Sequence, residues 1–187
     1  MNRLTLTLAL VLGACVGVPT APLVDPVPPQ LSRGQVPYIA TLPPTAFFCF
    51  SMNTGTKLGR GFVAQGNMFT ATHVVSDDFV DGDHDVTNLG PSPIAGSDIS
   101  FTRLSVGDMI YYWTPDRGNV AMLITSVEAD EYEIYSQKPV IPGDSGSPVM
   151  NSHGDVVAVV SRTFRYRNGS FGGIMEMILP TDLPEEQ

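Results

Sequence analysis

Beyond residue 37 the apolar residues come in short β-prone runs rather than at helical spacing. They fall at 46–52, 61–64, 67–72, 98–104, 109–114, 121–128, 131–137, 148–150, 156–164 and 172–179. Clusters of Gly, Pro, Asn and Asp separate them, and long apolar segments of 3.6-residue period are lacking. Regularly spaced short strands punctuated by turn residues predict an all-β barrel or sandwich. Two turns are explicit. Asn151-Ser152-His153-Gly154-Asp155 joins 148–150 to the run that begins at Val156, and Asn168-Gly169 joins the last two runs. His153 is therefore a turn residue.

The N-terminus follows another pattern. Arg3 precedes an apolar run from Leu4 to Leu12, followed by Gly13, Ala14 and Cys15. A charged start, an apolar stretch too short to span a bilayer and a small-residue cleavage site read as a secretory signal. Leu12-Gly13-Ala14-Cys15 also resembles the lipobox of bacterial lipoproteins. That resemblance implies a lipid on Cys15 as the mature N-terminal residue. Val16 is not the aspartate that would retain it at the inner membrane, so an outer-membrane anchor facing the periplasm is expected. The division is then 1–14 signal, 15–35 a proline-rich tether, 36–182 a folded domain and 183–187 a polar tail. With Cys15 lipidated, Cys49 has no disulfide partner. It sits in Phe47-Phe48-Cys49-Phe50 and reads as a small buried hydrophobe.

Length and charge narrow the function. A chain of 187 residues suits one domain, and a net charge of -9 without a basic cluster argues against nucleic-acid binding. Arg162, Arg165 and Arg167 read as one solvated face. Asp81-Gly82-Asp83-His84-Asp85 alternates carboxylates as a calcium loop can, but Val86 stands where such a loop needs glycine, so a solvated loop is expected and no metal.

Three segments carry chemistry. Pro142-Gly143-Asp144-Ser145-Gly146-Ser147-Pro148 places a serine between glycines that permit unusual backbone angles and a close carbonyl approach. Phe69-Thr70-Ala71-Thr72-His73-Val74-Val75 runs a β-prone segment into a histidine, whose imidazole suits the removal of a hydroxyl proton. Gly96-Ser97-Asp98-Ile99-Ser100-Phe101 sets an aspartate before a loosely alternating strand, where a carboxylate could orient the imidazole. Asp85 is the rival for that role.

Together, in the order His, Asp, Ser, these segments resemble the trypsin-like (chymotrypsin-fold) serine peptidases, over roughly 36–179. The gap from His73 to Asp98 is like that of compact bacterial or viral members. The resemblance implies two antiparallel β-barrels with the catalytic cleft between them. It implies Ser145 as nucleophile, His73 as general base and Asp98 as orienting acid, with the N–H groups of Gly143 and Ser145 as the oxyanion hole. Ser161, Arg162 and Thr163 align with the strand that pairs with an extended substrate, and Gly173 (or Gly172) with the primary pocket wall. Pro139 takes the place of the acid that tryptic members carry, so cleavage after Lys or Arg is not expected. Arg162 replaces the usual aromatic. The amine that activates zymogen members has no counterpart here, so Asp144 is expected to find another partner. The implied function is endopeptidase action on extracytoplasmic protein or peptide substrates, with no cofactor. A silent peptide-binding module on the same fold is the alternative.

Overall fold

A computed structural model of the chain describes residues 23–24, 49–53, 57–114, 118–136 and 138–185. Among these residues, eleven strands, a four-residue helix and a final 3-10 turn make an all-β fold in two parts.

The first part is an antiparallel sheet of β2 (Cys49–Asn53), β3 (Leu58–Ala64), β4 (Asn67–Thr70) and β5 (Thr87–Pro91), in that order. Between β4 and β5 the chain forms α1 (Thr72–Val75) and the acidic segment 81–85. The second part contains β6 (Met109–Thr114), β7 (Gly118–Glu128), β8 (Glu131–Ser136), β9 (Pro148–Met150), β10 (Val156–Tyr166) and β11 (Phe171–Met177). The order β10-β11-β8-β7-β6-β9, with β9 pairing again to β10, closes these six strands into a barrel. Within the stretch read as a tether, β1 (Leu23–Val24) pairs in parallel with Arg165 and Tyr166 at the barrel's edge.

Two apolar clusters explain the assembly. Ile110, Tyr112, Met122, Ile124, Ile134, Val149, Val160 and Met175 fill the barrel. Phe62, Phe69, Val74 and Val86 of the first part pack with Tyr111, Met150, Val156, Val159 and Ile178 of the second. β10 thus has both faces covered, which is why residues 156–161 read as an unbroken apolar run ending in serine.

Two expected elements differ. Residues 98–104 form no strand; only Ile99 bridges Val156, and Phe101 is exposed. A strand appears instead at Thr87–Pro91, where Gly90 and Pro91 disguise it as a turn. Both turns read from the sequence are present. The Asn151 N–H donates to the Asp155 carbonyl at 3.0 Å, and Gly169 takes a left-handed φ of 86°.

Candidate active site

His73 stands in α1, a helix too short to sustain itself. Its first turn is held by tertiary contacts. The His73 N–H donates to Asp85 Oδ1 at 2.9 Å, and Thr72 N–H donates to the Asp85 carbonyl at 3.3 Å. Val74, fully buried, anchors the helix in the inter-part cluster. The ring's Nδ1 lies 2.7 Å from Asp85 Oδ2. An ionised carboxylate only accepts, so Nδ1 carries the proton and Nε2 is left as the basic nitrogen. Phe79 covers one side of the ring at 5.8 Å between centroids.

The acid facing His73 is therefore Asp85, not Asp98. Asp98 is exposed, and its backbone carbonyl accepts from the Val156 N–H at 2.8 Å. The reason lies in register. Thr70 pairs with Thr87 across β4 and β5, so the chain two residues outward sets Asp85 opposite Thr72 and beside His73. The loose alternation of residues 98–104 reads as a strand, but the chain there makes only one bridge.

Asp85 is 1% exposed, and its carboxylate has a third donor, the Ser161 hydroxyl at 2.5 Å. Ser161 falls where the register of β10 against β11 slips, between Val160 and Arg162. A bulge re-aims a side chain, and here the hydroxyl meets Asp85 while the carbonyl accepts from Ser145 Oγ at 3.1 Å. Ser161, expected only to pair with substrate, thus links acid and candidate nucleophile.

Ser145 lies on the loop entering β9. The loop is pinned by the Arg60 N–H to the Ser145 carbonyl at 2.7 Å and the Gly146 N–H to the Val160 carbonyl at 2.7 Å. Gly146 has φ 85°, and a Cβ there would fall 1.9 Å from the Arg60 carbonyl oxygen, so only glycine fits. Among the described residues, the N–H groups of Gly143 and Ser145 have no acceptor, while the intervening Asp144 N–H bonds the Ile141 carbonyl. Two uncommitted N–H groups beside a serine are what an oxyanion would require. The buried Asp144 carboxylate accepts from Tyr112 OH at 3.1 Å and the Ile141 N–H at 3.0 Å, with Arg60 Nε 3.8 Å away. It has partners within the fold, as expected.

Pro139 takes part through its carbonyl, which accepts from Tyr112 OH at 2.8 Å. Thr163 pairs with Gly173 across β10 and β11, and a Cβ on Gly173 would come within 2.7 Å of the Arg162 carbonyl. Arg162 does not share a solvated face with Arg165 and Arg167. Its guanidinium bridges Asp81 and Glu131, while Arg165 lies over the Phe171 ring at 5.4 Å. The acidic segment is no simple solvated loop either. Asp81, Asp83 and Asp85 accept from Arg162, the Val80 N–H and His73 respectively, and so converge on no common point. Cys15 and residues 1–22 lie outside the described residues, and no helix among those described is long and apolar enough to cross a membrane.

A closed six-stranded barrel with a second sheet is a chymotrypsin-like all-β fold. The human pathogenic astrovirus serine protease is similar in structure, with a TM-score of 0.54 and 19% identity over 77% of this chain and 96% of that one. A weaker likeness, TM-score 0.49 and 18% identity, joins 69% of this chain to 80% of an inactive serine-to-alanine mutant of Rv3671c from M. tuberculosis H37Rv. No protein-family model and no curated protein matches the sequence.

Proposed function

We propose that the chain is a serine endopeptidase in which Ser145 attacks the scissile carbonyl, His73 Nε2 takes its proton and later delivers it to the leaving amine, and Asp85 holds the imidazole. The observation that carries this reading is the Asp85 carboxylate, buried and bonded to both the N–H and the ring of His73. A carboxylate so placed selects the tautomer that a general base needs and stabilises the imidazolium formed on proton transfer. The Gly143 and Ser145 N–H groups would stabilise the oxyanion, each contributing about 10²–10³ in rate. Ser145 Oγ bonds the Ser161 carbonyl in the free protein; the bond to His73 would form once a substrate is seated, as catalytic hydrogen bonds often do. An apolar Pro139 and no acid at that place support a preference away from basic side chains.

The site of action follows from the sequence alone. Secretion and a lipid on Cys15 would hold the enzyme at the envelope, against extracytoplasmic proteins. Full-length protein and its Ser145→Ala variant, each offered a peptide library read by mass spectrometry, test the activity. Cleavage by the first alone is expected. A folded wild type that binds peptides without cutting them would instead make the chain a silent binding module.

A further inference from the structure

The segment 81–85 presents His73 with its acid, and residues 80–83 lie outside the apolar core, which resumes only at Val86. Val80 is 63% exposed, the Asp81 side chain is 78% exposed, and Gly82 turns at φ 103°. Side chains supply much of its hold on the second part. Asp81 reaches Arg162 on β10, and Asp85 reaches Ser161 on the same strand. Between them His84 makes a further link, beside the Thr72 hydroxyl that donates to its carbonyl at 3.4 Å. Its Nδ1 lies 3.0 Å from Glu176 Oε1 on β11, and its Nε2 lies 3.0 Å from Asp182 Oδ2 in the 3-10 turn Pro180–Asp182. All these partners belong to the barrel or the turn that follows it, whereas the segment belongs to the first sheet.

We propose that His84 is a positioning residue for the reaction: clamped between Glu176 and Asp182, it fixes the segment that holds Asp85 against His73. The proposal rests on the peptidase reading of that site. A ring with a carboxylate on each nitrogen must donate from both, which only the imidazolium does. Glu176 is 3% exposed, and among the described residues its Oε2 is buried without a partner, so the His84 cation is what balances it. Asp182 is anchored in turn. It accepts from the Leu179 N–H at 2.7 Å, and its carbonyl accepts from Asn88 Nδ2 at 3.0 Å. The bond to Asp182, then that to Glu176, push the His84 pKa up to about 10 against the opposing effect of burial. When the proton leaves, the ring stands between two carboxylates. Glu131 lies directly across from Glu176, Asp83 and Asp85 are the chain neighbours of His84, and Arg162 is the cation that pairs with Glu131 and Asp81. The clamp then opens, and Asp85 loses its fixed place.

The test uses the full chain as wild type, His84→Gln, Asp182→Asn and, as control, the hairpin-tip variant His153→Gln. Three quantities are read: the rate of labelling by a serine-directed fluorophosphonate as a function of pH, kcat and KM on a cleaved peptide, and the NMR resonance of the His73 Nδ1 proton. Folded His84→Gln is expected to label about 10²-fold more slowly, with kcat falling more than KM changes, and to shift or broaden the His73 resonance. Asp182→Asn is expected to move the alkaline fall of the labelling rate to lower pH, and the control to match wild type. Wild-type rate and resonance in folded His84→Gln would overturn the proposal. Should that variant fail to fold, an alkaline fall unchanged in Asp182→Asn overturns it equally. A wild type that the phosphonate never labels would sink the peptidase reading instead, and the His73 resonance would still decide whether His84 positions Asp85.

Discussion

At the scale of single residues, the choice between two aspartates decides the chemistry. Asp85 is buried with His73 and Ser161 on its oxygens, while Asp98 is exposed and engages the fold through its carbonyl. Asp85→Asn keeps the shape but offers an amide where the imidazolium needs a charge. It also favours the wrong tautomer of His73. Its kcat is expected to fall about 10⁴-fold, the order found when a triad aspartate is so changed. Asp98→Asn is expected to leave kcat within about threefold, as an exposed substitution with no side-chain bond to the site groups does. Steady-state kinetics of the two variants on one peptide make the comparison. Equal losses would contradict the assignment of Asp85.

At the scale of elements, the site depends on how closely β3 admits its neighbours. Gly59 of β3 lies against both the helix that carries His73 and the loop that carries Ser145. A Cβ there would come 2.6 Å from both methyls of Val74 in α1 and 3.0 Å from the Ser145 carbonyl oxygen. Val74 is β-branched and fully buried, so it has little room to turn away. Gly59→Ala should therefore push α1 and the serine loop apart. Overpacking of this kind costs about 1–3 kcal/mol, read as a lower denaturation midpoint. Phosphonate labelling measured well below that midpoint should slow by about tenfold or more, because the displacement separates His73 from Ser145. A loss of stability with unchanged labelling would show that the two segments move together. The bulge at Ser161 is the other element-level device, since only a slip in register lets one residue serve Asp85 with its side chain and Ser145 with its backbone.

At the scale of the molecule, the two parts meet through an apolar cluster and an ionic seam. The seam makes stability depend on pH in a definite direction. His84 is raised from 6.5 to about 10 by folding, so the folded state holds its proton more tightly than the unfolded chain. The stabilisation is complete below about pH 6.5 and is lost as pH rises towards 10. The Tm of the full chain is therefore expected to fall between neutral pH and about pH 10, and Asp182→Asn should flatten that fall because it removes the largest cause of the shift. Scanning calorimetry of both proteins over this range checks it. Parallel Tm curves would mean that Asp182 does not sustain the charge.

Much of this was written in the chain order. Short β runs closed by turn residues specify an all-β fold because the period of a strand and the chemistry of a turn are local properties. The strands at 109–114 and 148–150 stand where the pattern set them. The loop around Ser145 and the segment ending in His73 were legible for the same reason, since glycines at fixed offsets and a β run into a histidine are local signals. What the tertiary structure alone decided is which distant groups meet. Asp85 faces His73 because Thr70 pairs with Thr87, in a strand whose glycine and proline look like a turn. Arg162 joins Asp81 and Glu131, and His84 joins Glu176 and Asp182, across separations of 31 to 98 residues. Pairing register and the docking of one part on the other set those meetings. Both are properties of the closed chain, carried by no single stretch of it.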